Sequence, residues 1–168
     1  CKRSAGRIQR HHHVNDVIYK ALNRANIPAI KEPSGLSRTD GKRPDGMTLI
    51  SWRDGRCLTW DVTVIDTLVA DSYLHHSSLT SGSASEVAAT RKMEKYRDLA
   101  QTYEFCPIAF ETMGPINIAG SKFISKLGGL LSDVSGDKRE TSFLFQRLSI
   151  AIQRFNVVCF RACFCRDE

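Results

Sequence analysis

From Val14 the apolar positions fall at Val14, Val17, Ile18, Ala21, Leu22 and Ala25, the three-and-four spacing of one helix face. Asn26-Ile27-Pro28 ends that stripe, because a proline pushes the preceding residue out of helical dihedrals. Residues 27–33 read as a short extended segment and residues 34–42 as a polar loop. The runs 47–52 and 56–66 flank Arg53-Asp54-Gly55, and Asp-Gly between strand-like runs predicts a β-hairpin. A polar loop over 71–85 follows, and Ser83 with Glu86 has the spacing of a capping box that opens a helix. Ala89, Met93, Tyr96, Ala100 and Tyr103 would share one face of that helix. Residues 105–112 read as a strand, and 121–131 and 141–162 as helices separated by a Ser-Gly-Asp-Lys turn. The order is helix, three strands, helix, strand and two helices, which predicts an α/β fold in one compact unit.

Alternation along Cys57–Val64 puts Leu58, Trp60, Val62 and Val64 on one side of a strand, and Cys57, Thr59, Asp61 and Thr63 on the other. Asp61 is then the one acid on an otherwise uncharged face. A buried carboxylate needs a cation, a metal or a shifted pKa. Asp45, in Lys42-Arg43-Pro44-Asp45-Gly46, stands where the preceding strand begins, and a hairpin brings that start toward the end of its partner. Two carboxylates with a carbonyl and waters suit Mg²⁺ or Mn²⁺. Asp45 as the cap of a turn, and Asp61 paired with Arg56 or Lys92, are open alternatives. In Lys92-Met93-Glu94-Lys95-Tyr96, Lys92 lies at the border of the apolar stripe and can reach the sheet, with Lys95 further out. A solvated basic face is the other reading of these lysines.

The chain of 168 residues carries a net charge of +6, unevenly spread. Residues 1–56 hold 12 Lys/Arg against 5 Asp/Glu (+7), residues 57–115 hold 4 against 8 (−4), and the remainder 8 against 5 (+3). Basic flanks around an acidic middle suit a polyanion-binding surface surrounding a cation-binding site. No apolar run has the length of a membrane span, and no secretory signal is visible. Cys57 and Cys106 lie in apolar runs and read as buried small hydrophobes. Cys159, Cys163 and Cys165 have a spacing open to zinc, but no partner ligand stands nearby.

These motifs resemble the restriction-like P-D-(D/E)-x-K nuclease superfamily. More closely they are similar to the endonuclease domain of site-specific non-LTR retrotransposons, in the C-terminal part of a reverse transcriptase polyprotein. The residues are Arg10-His11 before a helix, Arg43-Pro44-Asp45, Asp61-Val62-Thr63-Val64, and Lys92-Met93-Glu94-Lys95-Tyr96. The resemblance covers residues 1–115 and implies a restriction-endonuclease-like core in the order α-β-β-β-α-β. It divides the chain into a basic lead-in (1–12), a nuclease core (13–115) and a helical extension (116–168). It implies Asp45 and Asp61 as metal ligands. The lysine expected at position 63 is Thr63 here, so Lys92 or Lys95 takes its function. It also implies a zinc knuckle upstream, of which Cys1 would be the last ligand. Three consecutive histidines, His11 to His13, point about 100° apart on a helix and read as phosphate or core contacts. Glu32 is a candidate third acid, with solvent exposure as its other reading.

The expected function is nicking of target DNA by a Mg²⁺- or Mn²⁺-dependent endonuclease for target-primed reverse transcription. Arg3, Arg7, Arg10, His11, Lys42, Arg43 and Tyr96 would contact DNA. The expected partners are DNA and, through the rest of a longer protein, retroelement RNA, with no membrane and no small-molecule cofactor. Synthesis would be cytoplasmic and action nuclear. Two alternatives stand beside this: an inactive retroelement-derived nucleic-acid-binding domain, and a non-nuclease α/β interaction module.

Overall fold

The computed structural model describes residues 5–36, 43–66 and 80–162. Helix α1 (Ala5–Arg24) leads into strand β1 (Ala29–Lys31), followed by β2 (Gly46–Arg53) and β3 (Arg56–Ile65). Then come α2 (Ser83–Lys95), the short α3 (Leu99–Thr102), β4 (Glu104–Glu111), α4 (Ile118–Ser135) and α5 (Glu140–Ala162). The strands form one four-stranded sheet in the order β1-β2-β3-β4. The first two pairings are antiparallel and β3–β4 is parallel, so the sheet is mixed and α2 lies on the crossover between the parallel strands.

Local chemistry explains most boundaries. Asn26 takes φ 59° and ends α1, with Ile27 N–H donating to Leu22 O at 2.9 Å. Asp54 and Gly55 both have positive φ (50° and 74°), as a two-residue hairpin of matching twist requires, and they join the Arg53↔Arg56 pair. The β2–β3 register slips between Met47 and Ser51. There the buried Thr48 hydroxyl accepts from Leu58 N–H and donates to Ile50 O, so the irregularity leaves those groups satisfied.

The main core fills one face of the sheet. Val14, Ile18 and Leu22 of α1 meet Leu58, Trp60 and Val62 of β3, with Ile108 and Phe110 of β4 beside them. Ile124, Leu127 and Leu131 of α4 and Leu144, Leu148 and Ile152 of α5 close the same cluster. Helices α4 and α5, which fall in the expected extension, are therefore packed into this core. Likewise the lead-in from Ala5 on is the opening of α1, not a separate segment. The other face carries α2 over a small cluster of Ile65, Ala84, Ala88, Ala89 and Ala109.

Two helix expectations are corrected. The Ser83–Glu86 capping box does not form: Ser83 Oγ donates to Thr80 O, and Glu86 Oε1 accepts the N–H of Ile118. Glu111, at the end of β4, instead accepts the N–H of Ser85 at 3.1 Å, so two glutamates each satisfy the first turn of a distant helix. The face through Ala89, Met93, Tyr96, Ala100 and Tyr103 is not continuous, because α2 stops at Lys95. Tyr96 turns inward against Phe105 (ring centroids 4.9 Å apart), while Met93 stays exposed.

Candidate acidic site between β2, β3 and α2

Asp45 is held from several sides just before β2. Its N–H donates to Trp60 O at 2.9 Å and its carbonyl accepts Asn15 Nδ2 at 3.2 Å. Its Oδ2 accepts Val62 N–H at 2.5 Å, and its Oδ1 lies 3.1 Å from His11 Nε2. His11 and Asn15 stand one turn apart on α1, so a single helix face grips both the side chain and the backbone of Asp45. Asn15 is oriented in turn by Trp60 Nε1, which donates to its Oδ1 at 2.8 Å.

Asp61 points from the opposite side of β3, toward α2, and its side chain is 5 % exposed. Lys92 Nζ donates to its Oδ1 at 2.5 Å. Of the two partners foreseen, Lys92 is the one used, since Arg56 pairs with Glu104. Burial first, and then the charge of Asp45, push the Asp61 carboxyl above the ordinary carboxylate range; Lys92 and the Tyr96 hydroxyl oppose that. Asp45 bonds Trp60 and Val62, the residues on either side of Asp61, so the hairpin makes the two acids neighbours. His11 is raised above the usual imidazole value, chiefly by its hydrogen bond to Asp45, with burial opposing.

Lys92 and Tyr96 are one turn apart, so both stand on the side of α2 that faces Asp61. The Tyr96 hydroxyl also donates to Arg43 O at 2.9 Å and accepts from Lys95 Nζ at 3.1 Å. Tyr96 thereby ties α2 to the Arg43-Pro44-Asp45 turn. It is 2 % exposed, which corrects its expected role as a direct DNA contact.

The remaining predicted residues divide. Arg10 is 3 % exposed and bonds Asn156 on α5 at 2.5 Å, so its guanidinium ties two helices together instead of facing solvent, a second correction to the DNA-contact set. Arg43 is exposed and paired with Glu32, which removes Glu32 as a third acid of the site. Arg7 is half-buried on the first turns of α1. His12 and His13 are exposed, His13 beside the Phe155 ring. Cys106 is buried as expected, and burial pushes its thiol up to about 12; Cys57 is only partly buried. Arg3, Lys42, Cys1, Cys163 and Cys165 lie outside the described residues.

Among the described residues, no three His, Cys, Asp or Glu side chains converge as a ready-made metal site. Two carboxylates alone still fit a hard octahedral ion, which keeps several waters. Among the described residues, the buried hydroxyls of Thr59 and Thr63, on the same strand face as Asp61, have no hydrogen-bond partner. A cleft of about 460 Å³ lies elsewhere, at the free edge of β4 between α2 and α4, lined by Trp52, Met93, Phe105 and Lys122 among others. None of the candidate acids or lysines lines it.

Sequence reasoning missed Asn15 and Gly46. Asn15 was visible as a polar residue inside the apolar stripe of α1, four residues after His11. A Cβ at Gly46 would overlap the Trp60 ring, which lies directly against its Cα. No family model matches the chain, and no curated protein matches it in sequence.

Proposed function

We propose that the chain is a restriction-like, metal-dependent DNA endonuclease domain of the retrotransposon kind, acting at Asp45 and Asp61. The observation that carries this reading is that Asp45, at the start of β2, bonds the two β3 residues flanking Asp61, which is itself paired with Lys92 from α2. The α-β-β-β-α-β order of the sheet and its helices supports it. Asp45 and Asp61 would hold Mg²⁺ or Mn²⁺, whose chemistry there is to acidify a water and offset phosphate charge. Lys92 sits where its ammonium can turn from Asp61 to a phosphate oxygen as charge builds on it. His11 keeps a proton at Nε2 against Asp45, and Tyr96 fixes the turn that carries Asp45. Arg7, Arg43 and the solvent-facing lysines would contact phosphates, which makes binding salt-dependent. The action would be nuclear, on target DNA, with retroelement RNA held by other parts of a longer protein.

One observation favours a second reading, a DNA-binding domain that no longer cuts. Both carboxylate oxygens of Asp45 are engaged by protein groups, and Thr63 replaces the lysine of the motif. Nicking of supercoiled plasmid with and without Mg²⁺ or Mn²⁺, beside Asp45→Ala and Asp61→Ala, separates the two. Metal-dependent nicking lost in both variants supports the nuclease. Duplex binding without nicking supports the second reading, and equal nicking by wild type and variants rules out this site.

A further inference from the structure

The last helix carries a surface that the acidic site does not use. Arg147, Ile150, Arg154, Val157 and Arg161 are all exposed, Ile150 and Val157 by 66 % and 53 %. Their spacing of three and four residues puts them within about 80° of one another around α5, along about 21 Å of its length. The stripe lies to one side of Leu144, Leu148, Ala151 and Ile152, which face the core. From Thr141 to Ala162 the helix has no acidic residue. Among the described residues, the ion pair α5 makes is at its first residue, Glu140 with Arg24 at 2.7 Å. Among the described residues, no carboxylate comes within 4.0 Å of the arginines of the stripe to form an ion pair.

We infer that this face docks an acidic amphipathic helix of a protein partner. The arginines repeat every seven residues and the aliphatic residues do the same, which is the period of a two-helix seam. A facing helix with carboxylates and aliphatic residues in that period would meet each arginine with a charge and each of Ile150 and Val157 with an apolar side chain. The two competing polyanions fit less well. A nucleic-acid backbone would answer the arginines but leave Ile150 and Val157 in water. A membrane surface wants basic and apolar residues on different faces of the helix, whereas here they share one stripe.

The test uses the whole chain and a synthetic three-heptad helical peptide, with Glu opposite the arginines and Leu opposite Ile150 and Val157. A matched peptide with Lys for Glu, phosphatidylserine vesicles and a DNA duplex serve as the other arms. The expected result is binding of the Glu peptide and not the Lys peptide, with preference exchanged in Arg147→Glu/Arg154→Glu/Arg161→Glu. Ile150→Ser, which leaves the charge unchanged, should weaken Glu-peptide binding by about tenfold. All four positions face solvent, and unchanged far-ultraviolet circular dichroism checks that each variant is folded. Equal binding by the charge-reversed chain overturns the inference, and so does indifference to Ile150→Ser. Failure of the Glu peptide to bind overturns it too, as does vesicle or duplex binding that uses the stripe in its place. None of these results bears on plasmid nicking, so this inference and the nuclease reading fail separately.

Discussion

The two faces of β3 solve different problems with the same ten residues. Toward α1, α4 and α5 it presents Leu58, Trp60 and Val62 to a cluster of large side chains. Toward α2 it presents Thr59, Asp61 and Thr63, and the helix lying over them contributes Ala84, Ala88 and Ala89. Bulk makes the first face stable. Smallness makes the second face close: alanines let α2 approach until Lys92 reaches a buried carboxylate. Stability and chemistry are thus segregated across the thickness of one strand, and each face can be perturbed separately.

The largest effect should come from the bulky side. Trp60→Ala removes a fully buried indole and the hydrogen bond that orients Asn15, and should cost about 3–5 kcal/mol by chemical denaturation. A smaller effect, about 3 kcal/mol, is expected for Lys92→Met, which leaves Asp61 buried without its cation. The double variant Lys92→Met/Asp61→Asn should recover most of that loss; if it does not, the pair is not what holds α2. Ala88→Leu should cost about 1–3 kcal/mol by overpacking. It should also shift the Lys92 Nζ resonance as α2 lifts, something no substitution on the opposite face should do.

The smallest effects are pH dependences. The folded pKa of His11 is raised, so its contribution is fully present below its ordinary 6.5 and is lost as pH rises through the folded value. His11→Gln should flatten that part of the stability profile. Asp61 is also raised, by burial first, so metal-free stability falls as pH climbs from its ordinary 3.8 through the folded value. Asp61→Asn should abolish that fall, and added Mn²⁺ should stabilise wild type at neutral pH but not the variant.

Much of this was legible because period-two and period-three-to-four patterns report which side of an element faces the core. The alternation through Leu58, Trp60 and Val62 set Asp61 on the other face, and the Asp54-Gly55 turn set the hairpin. The end of α2 was not legible: Tyr96 keeps the helical spacing, but its hydroxyl finds Arg43 O, a contact between residues far apart in the chain. The Ser83–Glu86 signal failed for the same reason, since Glu86 found a better donor at Ile118. Local patterns predict local bonds, and a distant backbone group that needs a partner can outbid them.

Trp60 also makes the protein its own reporter. Its ring lies against Gly46, and its Nε1 proton is shared with Asn15, the residue that holds the Asp45 carbonyl. The chain has 2 tryptophans, so Trp52→Phe leaves one tryptophan, its indole shielded from solvent and two hydrogen bonds from Asp45. Its emission and its indole N–H resonance should register ligand arriving at Asp45 without any label.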